Sequence, residues 1–143
     1  MGGAIIADDT SLENLRMTSS ATPIKVLVVD DDEPLCKLCA LTMREQGLTA
    51  LTAFNGETAL ELFAAHQPEV IILDVAMPGM SGFDVAAEIR RLEPPGRHTI
   101  IIILTAYARS YFASKNFEAD IDSFLTKPVL PQDLIAHVSS LIT

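Results

Sequence analysis

Asp30-Asp31-Asp32, Asp74 and Thr105 each stand directly after a run of apolar residues, Val26-Leu27-Val28-Val29, Val70-Ile71-Ile72-Leu73 and Ile100 to Leu104 respectively, and Lys127 directly follows the short strand Phe124-Leu125-Thr126. If the runs ending at Asp30 and Asp74 are neighbouring strands, like charges crowd into one small volume, which is costly unless compensated. A hard divalent cation removes that cost, and a few carboxylates with room for water suit magnesium, which dehydrates reluctantly. Lys127 adds an ammonium able to neutralise a phosphoryl oxygen, and Thr105 adds a hydroxyl donor at the same rim. A carboxylate nucleophile with metal, cation and hydroxyl around it indicates phosphoryl transfer to an aspartate, a reaction driven mostly by positioning and charge stabilisation. Taken singly, each residue has a blander role: an acid at a strand end caps a helix, a lysine lies on the surface, and a threonine closing a strand is uninformative.

The elements that must position these groups repeat along the chain. Val26 to Val29 reads as a strand buried on both faces. Pro34 suits a first helical position; Leu35, Leu38, Cys39 and Thr42 recur at helical spacing, and Gly47 stops the helix. Leu48 to Ala53 is a weaker strand, followed by an Asn55-Gly56 turn and a second helix marked by Leu60, Phe63 and Ala64 that ends near Pro68. The strand before Asp74 leads through Pro78, Gly79 and Gly82 to a third helix carrying Phe83, Ala86, Ile89 and Arg90. Glu93-Pro94-Pro95-Gly96 breaks that helix, Ile100 to Leu104 forms a fourth strand, and Tyr107 to Glu118 a fourth helix. After the short strand Phe124-Leu125-Thr126, a last helix runs from Pro131 with Leu134, Ile135, Val138, Leu141 and Ile142 on one stripe. Five strands alternating with five helices predict a doubly wound parallel α/β sheet, with ligands beyond the carboxyl ends of the strands.

A length of 143 residues fits one domain with a real core. Residues 1–23 have a different texture and read as a flexible leader, in which Thr10 and Glu13 fit a capping box, leaving 24–143 as the domain. The formal charge of −9 disfavours nucleic acid as a partner. The apolar runs are far short of the roughly 20 residues a membrane helix needs. The N-terminus has neither the basic nor the apolar part of a secretory signal, so a cytoplasmic location is expected. Cys36 and Cys39 form a C-x-x-C pair, but the acids just before them disfavour a thiolate and with it redox chemistry. His66, His98 and His137 show no metal-ligand spacing and default to surface or structural roles.

Val28-Val29-Asp30-Asp31-Asp32, Leu73-Asp74-Val75-Ala76-Met77-Pro78-Gly79-Met80-Ser81-Gly82, Leu104-Thr105-Ala106 and Leu125-Thr126-Lys127-Pro128 resemble the four signatures of the response-regulator receiver family. The resemblance spans Ile24 to the C-terminus and implies a flavodoxin-like sheet of order 2-1-3-4-5. It implies a phosphoacceptor in a two-component phosphorelay, charged by a histidine kinase or a histidine phosphotransfer protein, and not an enzyme beyond slow self-catalysed phosphorylation and dephosphorylation. Asp74 is then the acceptor. Magnesium would be bound by Asp31, Asp74 and the backbone carbonyl of Ala76, with Asp30 acting through water. Thr105 and Lys127 would contact the phosphoryl group, Phe124 would be the switch aromatic, and the peptide bond before Pro128 would be cis.

Three positions depart from the family pattern. Ala76 has no polar side chain to direct a hydrolytic water, Tyr107 is bulky two residues after Thr105, and Asp120 stands where relatives often have glycine. The output surface is expected on the fourth helix, fifth strand and last helix, where a second copy or an effector would bind; Tyr107, Tyr111, Phe112 and Phe117 make that fourth helix aromatic. Two other readings compete: a pseudo-receiver that binds partners without phosphorylation, and an aspartate-based phosphatase of the haloacid dehalogenase type, for which Asp30-Asp31-Asp32 offers a D-x-D.

Overall fold

The computed structural model describes residues 23–106 and 120–142. The leader with its Thr10–Glu13 capping box, save its last residue, and the fourth helix with Tyr107, Tyr111, Phe112 and Phe117 lie outside the described residues.

The elements are β1 Lys25–Val29, α1 Glu33–Glu45, β2 Thr49–Ala53, α2 Gly56–His66, β3 Val70–Asp74, α3 Gly82–Leu92, β4 Ile100–Thr105, β5 Ser123–Thr126 and α4 Pro131–Ile142. All strand pairs are parallel, and the sheet order is β2-β1-β3-β4-β5. The doubly wound α/β class expected from the alternating pattern and the strand order implied by the resemblance are therefore found. Alternate side chains of the inner strands enter opposite layers, as the two-residue strand period requires. Val26, Val28, Ile72, Ile102 and Leu104 pack with α1 and α4, whereas Leu27, Val29, Ile71, Leu73, Ile101 and Ile103 pack with α2 and α3. Each such Val, Leu or Ile contributes about 1.5–3 kcal/mol by leaving water, which explains why the strands read as unbroken apolar runs.

Two local expectations are corrected. Asn55-Gly56 is not a free-standing turn: Asn55 is the cap of α2, its side-chain oxygen accepting from Thr58 N at 2.7 Å, and Gly56 already belongs to the helix. The buried stripe of α1 is Cys36, Cys39, Ala40 and Met43, while Leu38 is 48% exposed. Small side chains let α1 lie close to β1, with Cys36 Sγ donating to Val28 O at 3.3 Å. In α2 likewise Ala59 is buried beside Phe63 and Ala64 is exposed. Gly47, at φ 89°, ends α1 as expected.

Candidate functional site

β1 and β3 are adjacent with Val29 opposite Leu73, so Asp30 and Asp74 leave the sheet side by side. Asp30 and Asp74 are buried, Asp31 is exposed, and one carboxylate oxygen from each lies within 4.8 Å of the others. Lys127 Nζ stands 3.0 Å from Asp74 Oδ1 and 3.4 Å from Asp30 Oδ2. Lys127 gets there because β5 runs parallel to β4 and its own N–H donates to Thr105 O at 2.7 Å. Thr105 is buried at the end of β4, one residue past Leu104, the partner of Asp74. The bond between Lys127 and Pro128 is cis.

Around this rim the backbone is held by short-range bonds. Asp30 Oδ1 accepts from Asp32 N at 3.0 Å, and Asp32 turns away to cap α1 through Leu35 N at 3.2 Å. Ser81 and Asp84 form a reciprocal capping box at the start of α3. Gly82 is required there, since a Cβ would stand 2.6 Å from the carbonyl oxygen of Asp74. Ala76, in the loop between β3 and α3, is exposed. Phe124 is half-buried against the α2–α3 layer, with its ring centroid 6.5 Å from that of Phe83.

Burial pushes the Asp30 carboxyl up from the ordinary aspartate range; Asp74's charge adds to this, and the Asp32 N–H and Lys127 only partly offset it. For Lys127 burial acts downward, but the hydrogen bond to Asp74 and the charges of Asp30 and Asp74 outweigh it and raise the ammonium's pKa. Three carboxylates face one ammonium, which leaves two negative charges over. Hard oxygens this close, with Asp31 open to water, fit a divalent cation of the magnesium type.

Some features were not foreseen from sequence. A cleft of about 280 Å³ opens beside Lys127, lined by Leu35, Cys39, Leu104, Pro128, Val129 and Leu134 among others. A second charge cluster joins Arg90, Glu93, His98 and Asp122 at the other end of the sheet. Each of its members reads in sequence as an ordinary surface charge, so only the acid-plus-base content of the loops before β4 and β5 hinted at it. The thiol of Cys36 is pushed up to about 12, chiefly by burial and only then by Asp30, so the thiols are inert for a stronger reason than the neighbouring acids alone. Asp120 takes no left-handed conformation, Gln67 being the sole non-glycine residue at positive φ among those described, so its backbone does not call for the glycine that relatives often carry. Tyr107 lies outside the described residues.

Residues 26–139 match the family model of the response regulator receiver domain. The response regulator TrrA of Thermotoga maritima, solved in complex with Mg2+-BeF, is 36% identical with a TM-score of 0.70 over 82% of this chain and 98% of its own. CheY4 of Vibrio cholerae, a chemotaxis protein, is 28% identical with a TM-score of 0.76 over 83% of this chain and 98% of its own. DrrB of Thermotoga maritima, an OmpR/PhoB homologue, is 30% identical with a TM-score of 0.73 over 85% of this chain and 53% of its own.

Proposed function

Because the chain belongs to the response regulator receiver domain family, we propose that it is the phosphoacceptor switch of a two-component phosphorelay, with Asp74 as the residue modified. The observation that carries this reading is Lys127 Nζ bridging the buried carboxylates of Asp74 and Asp30 with Asp31 alongside. In the transfer, an Asp74 oxygen attacks the phosphorus of a phosphohistidine donor; the O–P bond forms, the N–P bond breaks, and the imidazole leaves with the bonding pair and takes up a proton. Asp31, Asp74 and the Ala76 carbonyl would hold magnesium directly and Asp30 through water, the ion neutralising charge that builds on the transferred group. Lys127 follows the negative charge, exchanging a carboxylate for a phosphoryl oxygen, and the Thr105 hydroxyl donates to another. Ala76 offers no polar side chain to orient a hydrolytic water.

The donor is a histidine kinase or histidine phosphotransfer protein, and the cleft beside Lys127, with exposed Leu38 and Leu130 nearby in sequence to its walls, suits an apolar contact made during transfer. Residues 24–143 form the receiver domain, residues 1–23 its leader, and the protein works in the cytoplasm; among the described residues no helix is long and apolar enough to cross a membrane. Output leaves through the face that includes β5 and α4, with Phe124 responding to movement at Thr105, toward an effector or a second copy. Asp32 is committed to capping α1, which counts against the phosphatase reading of Asp30-Asp31-Asp32. Incubation with a phosphodonor and magnesium, followed by mass mapping, tests the assignment. Label on Asp74 supports it; label on Asp30 would favour the phosphatase, and no label the pseudo-receiver.

A further inference from the structure

The charge cluster at the other end of the sheet takes no part in that chemistry. Arg90, in the last turn of α3, donates from Nη2 to Asp122 Oδ2 at 2.8 Å, from Nη1 to Glu93 Oε2 at 2.7 Å and Thr99 O at 2.8 Å, and from Nε to Asp120 O at 3.1 Å. One guanidinium therefore joins the residue before β4 to two residues leading into β5. Asp122 is pinned to β4 twice more: its N–H donates to Ile101 O at 2.9 Å, and its Oδ2 accepts from Ile101 N at 2.7 Å. Immediately afterwards Ser123 pairs with Ile102.

β5 needs such a pin. It has four residues, lies at the sheet edge, and none of its residues is fully buried. Hydrophobic patterning sets the register of such a strand only weakly, and a one-residue slip turns every side chain to the other face. A two-residue slip would keep the faces but shift Lys127 by roughly 7 Å along the strand, more than twice its 3.0 Å separation from Asp74.

We propose that Arg90 and Asp122 are positioning residues for phosphoryl transfer, locking the start of β5 to the start of β4 so that Lys127 is delivered to Asp74. The proposal rests on the phosphoacceptor reading, since it assigns the consequence to Lys127. Arginine suits the task because its planar fork of five N–H donors reaches acceptors from three segments at once, which a lysine ammonium does not. Glu93 completes the lock by accepting from Thr99 N at 2.6 Å, fixing the chain just before β4.

The test is a cycle on the full chain. Asp122→Ala is combined with Lys127→Ala, and the rate of Asp74 modification by phosphoramidate with magnesium is measured in all four proteins. Asp122→Ala should slow modification about tenfold when Lys127 is present and less than about twofold when it is absent, as for groups acting through one another. Equal slowing in both backgrounds would mean general destabilisation and overturns the proposal. Arg90→Lys, a milder change, carries the same cycle if Asp122→Ala does not fold. Amide exchange supplies a readout independent of phosphorylation: the Lys127 N–H, bonded to Thr105 O, should exchange at least about tenfold faster in Asp122→Ala, with the β3 amides unchanged. Protection of Lys127 at the parent level overturns the register claim even if Asp74 proves not to be phosphorylated.

Discussion

Asp30 and Asp122 are both aspartates at strand ends with a cation at hand, yet their carboxyls are driven in opposite directions. At the mouth, burial raises Asp30 and the charge of Asp74 raises it further, beyond what the Asp32 N–H and Lys127 restore. At the base, burial also acts upward on Asp122, but the N–H of Ile101, then His98 and Arg90, bring it below the ordinary range. At the base the Arg90 guanidinium lies between Glu93 and Asp122, and the His98 ring meets the other oxygen of Asp122, so each carboxylate has a partner. The mouth is left with an excess of negative charge, which the proposed magnesium ion would offset. Structural and functional charge clusters thus differ less in composition than in how completely they are compensated.

The largest effect that would break this contrast is at Asp74. Asp74→Asn should bring phosphodonor labelling to background, because an amide cannot form the acyl phosphate, while Asp122→Asn should leave Asp74 modifiable. Retained labelling of Asp74→Asn at the parent rate would remove the mouth's special status. Next comes the metal. Asp31→Ala should weaken magnesium binding by about 100-fold and Asp30→Ala by about tenfold, since the first is proposed to coordinate directly and the second through water; superimposable titrations by fluorescence or calorimetry would erase that distinction.

Stability against pH sharpens the comparison further. The depressed carboxyl of Asp122 contributes stability that is present above the ordinary aspartate pKa of about 3.9 and is lost as pH falls through its lowered value. The raised carboxyl of Asp30 has the opposite sign: the native state holds that proton more tightly, so stability falls as pH rises from about 3.9 toward the raised value and stays lower at neutrality. In urea denaturation of the metal-free protein at pH 7, Asp30→Asn should therefore be more stable than the parent by about 1 kcal/mol, a usual size for one substitution. Asp122→Asn should be less stable by about 1 kcal/mol, a figure already discounted for solvent screening. Shifts of the same sign would show that the two clusters are electrostatically alike.

Much of this was readable in advance, and the reason is physical. Strands buried on both faces must be apolar without interruption, so β1, β3 and β4 announce themselves and the acids after β1 and β3 mark the mouth. Asp30, Asp74 and Lys127 are residue types that are costly when buried, which makes them conspicuous at the ends of apolar strands. The face of α1 was readable only in part: Cys39 and the half-buried Leu35 lie on it, but leucines at 38 and 41 compete with the smaller Cys36 and Ala40, and only the close approach to β1 selects the latter. The base cluster was hidden for a different reason. Arg90, Glu93, His98 and Asp122 come from three segments with no common spacing, and nothing local separates a locking arginine from a solvated one.

Within that base the smallest effect belongs to His98. Its ring meets Asp122 Oδ1 at 2.7 Å, the same order of distance as Arg90, but its side chain is 62% exposed against 17% for Arg90. A contact so open to water, an ion pair only when the imidazole is protonated, is screened, and holding the ring still costs side-chain freedom, so exposed pairs yield little net stability. Arg90 instead satisfies Thr99 O and Asp120 O as well as two carboxylates, and its loss would leave partly buried acceptors without donors. His98→Gln should accordingly cost less than about 0.5 kcal/mol, a difference that fades further in 1 M salt because the Debye length there is only about 3 Å. Urea midpoints measured at low and high salt check both statements. A cost for His98→Gln equal to that for Arg90→Ala would transfer the lock on β5 from the guanidinium to the imidazole.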